Sequence, residues 1–295
     1  MKGFLRIGLL AVSAMTCLLG DVTYDQNVRY TGGTLLDMMR KMASNPMLGR
    51  MGGGNLQTAF QDQKFTVYVK GPKMARIGPS FSSIYDLDAG TITTINHQKH
   101  TYAVMTFEEM RQQMDQMQRR ANKTQTPNVD FDVKLDTTGQ TRNIYGQTAS
   151  EALMTLTAKT AGPGGQMVVK ADTWLVPLDP ATREVIDYSK RLSTKFGELF
   201  SGSPMLGAAS AGIGAAMKEA SKLDGYSVLT DIDVSGVSSP MLAAMGSANN
   251  DANAPLIKME VQSSNFASGA IDDSKFAIPT GYTEQARRGM TEGRH

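Results

Sequence analysis

The sequence predicts an α+β protein built mainly from antiparallel β-structure, and three observations predict it. Between Val22 and Met105 apolar residues recur mostly at period two, in short runs broken by Gly, Pro, Asn and Asp. From Val129 to Asp136 the alternation is regular: Val129, Phe131, Val133 and Leu135 are separated by Asp130, Asp132, Lys134 and Asp136, the pattern of a strand with one buried and one wet face. Two longer segments, after Thr106 and after Asp179, instead carry apolar residues at helical spacing. Short strands at hairpin spacing favour an antiparallel meander over βαβ units.

The chain opens with MKGFLRIGLLAVSAMTCLLG, in which Lys2 and Arg6 flank a largely apolar run from Leu5 to Leu19, followed by Gly20 and the polar stretch DVTYDQ. That is the layout of a secretory signal peptide over residues 1–20, cleaved after Gly20 and too quickly interrupted for a spanning helix. Cys17 offers a rival reading, as the lipid-modified first residue of a lipoprotein. Its preceding residues Ala14, Met15 and Thr16 lack the leucine and small residue usual in that signal, which disfavours a lipid anchor. Without Lys2 and Arg6, 28 basic residues remain against 28 acidic ones, and the only cysteine is gone. The mature chain is then formally neutral and forms no disulfide, so its stability rests on core packing. Neutrality argues against a nucleic-acid partner, which requires a basic stripe to displace counterions. No other apolar segment is long enough to cross a membrane.

In the mature chain a short helix is expected at Thr34 to Met42, before the glycine run Gly52-Gly53-Gly54. Phe65, Val67 and Val69 share one strand face; strands follow at Ile84 to Leu87, Ile92 to Ile95 and Thr101 to Met105, punctuated by Asp88-Ala89-Gly90 and Asn96-His97-Gln98-Lys99. Thr106-x-x-Glu109 is a capping box, and Phe107, Met110, Met114 and Met117 then form one apolar stripe with Glu108, Glu109, Arg111 and Arg119 mainly off it. Further strands are expected at Thr141 to Gln147, Ala152 to Lys159 and Gln166 to Val176, the last carrying the only tryptophan, Trp174. Asp179-Pro180 marks a second long helix, with an N-cap acid and a proline at the first position, where its missing amide costs nothing. Its stripe is Val185, Tyr188, Leu192, Phe196 and Leu199, and it ends in Ser201-Gly202-Ser203-Pro204. A Gly-, Ala- and Ser-rich excursion occupies residues 201–224, either a surface excursion or a closely packed helix. Strands return at Tyr226 to Val234 and Pro255 to Ser263 around a loop at residues 235–254, and residues 285–295 read as a flexible tail.

Candidate chemistry is sparse. His97 and His100 are two of three histidines and fall in a hairpin turn; the third, His295, is in the tail, so a zinc site lacks further ligands and the turn is expected to be solvated. A Ser-His-acid triad would have to use the same histidines. Gly207-Ala-Ala-Ser210-Ala-Gly212 has one residue too many for a nucleophile elbow and lacks the strand before it. The glycines around Pro163 are not followed by Gly-Lys-Ser or Gly-Lys-Thr, which excludes a P-loop. Asp130/Asp132 and Asp231/Asp233 each share a strand face and would serve acid-base work only if burial split their pKa values; the wet face of an alternating strand is the simpler reading. The 20 methionines are more informative. Met110, Met114 and Met117 fill a core or line a pocket for flexible hydrophobic ligands, because an unbranched thioether chain repacks around different shapes.

Four phrases in order, "GQTRNIYGQTASEALMTL", "KADTWLVP", "LDGYSVLTDIDV" and "SKFAIPTGYTE", resemble exported bacterial proteins of LolA/LolB-like architecture, including a domain family of unknown function within that group. In the third, Ser227 stands where that group usually has proline. The resemblance spans Asp21 to about Glu284 and implies a single domain over residues 21–284. It further implies a strongly curved, incompletely closed antiparallel sheet, a half-barrel, wrapped around amphipathic helices, in a periplasmic protein. In the lipoprotein carriers of that architecture the concave face holds acyl chains; none of their ligand-holding residues maps onto a position here.

The expectation is therefore an exported, non-enzymatic protein that binds a hydrophobic or lipid-like ligand, or an acylated partner, with no cofactor and no metal. The candidate lining is Phe107, Met110, Met114, Met117 and Trp174. An envelope interaction module with a filled core, using residues 201–217 as its contact surface, is the alternative. A hydrolase with a carboxylate site at Asp130 or Asp231 is the third reading.

Overall fold

Val22 stands opposite Val69 and Tyr24 opposite Val67 across the first pair of strands, and this register defines an apolar face that the neighbouring strands continue. A computed structural model of the chain describes residues 20–44, 61–121, 129–160, 166–200, 212, 214–236 and 254–285. Residues 1–19 of the expected signal peptide, with Cys17, the glycine run, half of the 201–224 excursion, most of the 235–254 loop and residues 286–295 of the expected tail lie outside the described residues.

The elements in chain order are β1 (Val22–Gly32), α1 (Thr34–Ser44), β2 (Gln63–Lys70), β3 (Lys73–Ile77), β4 (Phe81–Asp86), β5 (Thr91–Asn96) and β6 (Thr101–Thr106). They are followed by α2 (Phe107–Ala121), β7 (Val129–Ile144), β8 (Gln147–Thr160), β9 (Gln166–Val176), α3 (Pro180–Phe200), β10 (Tyr226–Ser235) and β11 (Ile257–Ser268). A 3₁₀ turn (Asp273–Phe276) and the short β12 (Thr283–Glu284) close the described chain. All strands belong to one 12-stranded sheet in the order β12, β6, β5, β4, β3, β2, β1, β11, β10, β9, β8, β7. The sheet is open and curved, and every pairing is antiparallel except the two-residue β12–β6 contact. The chain meanders outward from β1 to β6, crosses in α2 to the far edge at β7, and returns strand by strand until β11 closes on β1. The expected fold class is the one observed: mainly antiparallel β with an incompletely closed sheet around amphipathic helices.

α3 lies on the face defined by Val22 and Tyr24. Ala181, Val185 and Tyr188 pack with Val22, Tyr24, Val67, Val69 and Leu87, all nearly inaccessible to solvent, and Phe65, Met74, Phe107 and Leu192 extend the cluster. Both long helices begin as their sequences require. The Thr182 amide donates to Asp179 Oδ1 at 2.7 Å and the Asp179 amide to Thr182 Oγ1 at 2.9 Å. At α2 the Glu109 amide donates to Thr106 Oγ1 at 3.0 Å and the Thr106 amide to Glu109 Oε2 at 2.9 Å. α1 is anchored differently: the Thr34 and Leu35 amides donate to the Pro255 and Leu256 carbonyls. Gly33 makes this approach possible, since at φ +114° a Cβ would lie 2.4 Å from the Leu256 carbonyl oxygen.

One expected strand is corrected. Residues 141–147 are not a separate strand: β7 runs from Val129 to Ile144 through an irregularity between Thr137 and Thr141, and the chain reverses at Tyr145-Gly146. Tyr145 and Gly146 have φ of 51° and 81°, a two-residue hairpin in which glycine takes the left-handed conformation readily and Asn143 Oδ1 accepts from the Gly146 amide at 3.0 Å. The outer face of β3 to β5 carries a smaller cluster, Ala75, Ile84 and Ile95, covered by Phe276 and Tyr282 from the C-terminal segment.

Candidate functional site

Strand register builds the site. Met105 pairs with Ile92, and Ala103 with Thr94, so these four share the face on which α3 packs; α2 starts at the end of β6 and turns back over them. Met110 and the α2 polar side chains, together with Lys99 and Gln285, complete the walls of a cleft of about 1000 Å³. Its apolar lining is Ile92, Ala103, Val104, Met105 and Met110, and its polar lining is Thr94, Lys99, Glu109, Gln112, Gln113, Gln116 and Gln285. An apolar bed edged by carboxamides, the Lys99 ammonium and the Glu109 carboxylate suits a ligand that is apolar along most of its length and polar at an end.

The two histidines contribute by holding one wall. The turn at residues 97–100 is not simply solvated, which corrects the expectation. His97 Nδ1 lies 2.9 Å from the Tyr282 hydroxyl and Nε2 lies 2.6 Å from Ser82 Oγ, a buried hydroxyl. The His100 ring leans on Tyr282 at 5.2 Å between centroids, and the His100 carbonyl accepts from the Thr283 amide. The same docked segment places Gln285, whose amide donates to the Tyr102 carbonyl and whose Nε2 donates to Thr101 Oγ1 at 3.0 Å. Among the described residues no group of three or more His, Cys, Asp or Glu is arranged to hold a metal ion.

The expected lining residues are only partly brought together. Met110 lines the cleft. Phe107 lies at the edge of the α3 core with its ring 5.5 Å from Phe196, so it fastens α2 to α3. Trp174 is elsewhere: it is buried with Ala149, Val176 and Val228, and the Arg142 guanidinium covers its ring at 3.9 Å. The side chains of Met114 and Met117 lie outside the described residues. The sequence reading missed the glutamines of α2 and the cleft-facing members of β5 and β6. A usable signal was the strict alternation of Ile92, Thr94 and of Ala103, Met105.

The chain matches no protein-family model and no curated protein.

The acidic pairs behave differently from one another. Asp130 and Asp132 are exposed. Asp231 lies between Asp172 on β9 and Glu260 on β11 in a transverse row. Arg29 joins that row through a 2.6 Å contact with Glu260 and, five residues beyond Tyr24 on β1, faces away from α3. The row therefore belongs to the outer face, not to the cleft. Burial, then the neighbouring Glu151 and Asp231 carboxylates, push Asp172 above the usual carboxylate range, against Arg142. Burial and then Glu260 push Asp231 up likewise, opposed by Arg142 and Arg29. On the exposed side of α2, Arg111 and then Gln112 hydrogen-bond to Glu108 and hold its carboxyl down to about 2.

Proposed function

We propose that the protein is an exported, periplasmic, non-enzymatic binder of a hydrophobic or lipid-like ligand, or of the acylated end of a partner, taken up in the cleft beside α2. The cleft carries this reading: about 1000 Å³ of space with Met105 and Met110 among its apolar walls. Methionine suits that role because its side chain adapts to flexible chains of different shape. Affinity would come from apolar area, at about 25 cal/mol per Å² removed from water before association costs. The resemblance of the ordered phrases to LolA/LolB-like carriers points the same way. So does the engagement of both His97 ring nitrogens by Ser82 and Tyr282, which gives that imidazole a structural task.

Native mass spectrometry of the protein purified without detergent, followed by organic extraction, tests the proposal. The expected result is a reproducible lipid-sized adduct that Met110→Asp weakens in a variant that still folds. A clean ligand-free mass after exposure to envelope lipids would overturn it and favour the interaction-module reading.

A further inference from the structure

The transverse row that holds Ala103 and Thr94 continues through Ser83 on β4 to Arg76 on β3 and Val67 on β2. Adjacent strands are about 4.8 Å apart, so Arg76 sits roughly 10 Å along the same face from Thr94 of the cleft. Its environment is unusual for a guanidinium. Nε is shielded from solvent and has no hydrogen-bond partner, and the group lies 4.3 Å above the Phe65 ring. Arg29, Arg111 and Arg191 each reach a carboxylate, whereas no ion pair among the described residues includes Arg76. Stacking on Phe65 uses the flat face of the guanidinium, so an anion would meet it at its N–H edge. Arg76 as a whole is half-buried, and its shielded Nε is the donor left without an acceptor.

We propose that Arg76 receives the anionic head of the ligand, which makes the ligand class a carboxylate- or phosphate-headed amphiphile. Its head lies against Arg76 with Ser83 and Thr94 in the same row, and its chain runs toward Ile92, Met105 and Met110. This rests on the hydrophobic-ligand reading above and adds the head group to it.

The test uses the purified full chain and three probes of equal chain length: a saturated 16-carbon fatty acid, the matching alkyl phosphate and the matching alcohol. Affinity is read by displacement of an environment-sensitive dye. The expected result is that at least one anionic probe binds on the order of tenfold more tightly than the alcohol, the scale of a charge-assisted hydrogen bond. Arg76→Gln removes that preference, so that the acid, the phosphate and the alcohol bind the variant with similar affinity. Preference between the acid and the phosphate identifies which head group the site takes. If all three probes bind equally well to the wild type, the Arg76 assignment is overturned and hydrophobic binding survives. Binding of none of the three overturns both. Should Arg76→Gln fail to fold, the wild-type comparison of acid, phosphate and alcohol still decides, and Arg76→Lys, which keeps the charge, is expected to retain part of the preference.

Discussion

The His97 imidazole and the Tyr282 hydroxyl meet at 2.9 Å across 185 residues of sequence, and this contact ties the C-terminal segment to the turn between β5 and β6. Phe276 and Tyr282 of that segment cover Ala75, Ile84 and Ile95 on the outer face, and Gln285 beyond it forms part of the cleft wall. Tyr282→Phe removes the hydroxyl while keeping the ring, and is expected to cost about 1 kcal/mol. Amides of residues 273–285 should exchange faster by hydrogen–deuterium exchange while those of β1 and β2 are unchanged. Unchanged exchange in the C-terminal segment would show that ring packing alone holds it.

The α3 cap gives a second expectation. Asp179 and Thr182 satisfy each other's amides at 2.7 and 2.9 Å, and the helix they start carries Val185 and Tyr188 into the main core. Asp179→Ala should lower unfolding free energy by about 1 kcal/mol, with Asp179→Asn recovering most of it. Denaturant midpoints at constant m-value are the measurement. Equal midpoints for wild type and Asp179→Ala would mean that tertiary packing alone sets the start of α3.

The outer acidic row predicts a pH dependence of definite sign. Asp172 and Asp231 have folded-state pKa values above their ordinary value of 3.8, burial being the first cause for each. Above 3.8 the folded chain therefore holds protons that the unfolded chain has released, and stability from these two groups falls as pH rises through their folded values. Asp231→Asn removes that penalty. The variant should melt above the wild type at pH 7, with the difference shrinking as pH is lowered toward 4. Glu108 has the opposite sign: its pKa is held down to about 2 by Arg111, so its contribution is present above its ordinary value of 4.5 and is lost as pH falls below it. A higher melting temperature for Asp231→Asn that persists undiminished at pH 4 would contradict relief of charge burial as its cause.

Local signals made much of this fold legible. The Thr106–Glu109 capping box, the Asp179-Pro180 helix start, the apolar stripe of α3 and the alternation of β7 are determined within a few residues of sequence, and each is found where its pattern places it. Long-range geometry was not legible in the same way. β1 closes on β11 through pairs such as Arg29 and Glu260, 231 residues apart, and period-two alternation names a residue's face without naming what covers it. Trp174 illustrates the difference. Its apolarity suggested a ligand wall, yet on β9 it is two residues from Asp172 and so shares that residue's side of the strand, the side of the outer acidic row. The glutamines of α2 were passed over because they lie off the apolar stripe, although a helix laid across a sheet edge presents its flank, as well as its stripe, to the cleft.

Met110 and Trp174 consequently separate binding from stability. Met110 lines the cleft, and Met110→Asp places a carboxylate among Ile92, Ala103 and Met105, where it opposes an apolar chain but stays within reach of water. Trp174 is 7% exposed under the Arg142 guanidinium and packs against Ala149, Val176 and Val228, away from the cleft. Trp174→Leu removes aromatic packing and the cation–π contact, and should lower stability by about 2 kcal/mol. It should leave any bound lipid in place. Met110→Asp should do the reverse, stripping the adduct with little change in the unfolding midpoint. The two variants are compared by native mass spectrometry and by denaturant titration. Loss of the adduct in Trp174→Leu at a temperature where that variant remains folded would place the ligand outside the α2 cleft.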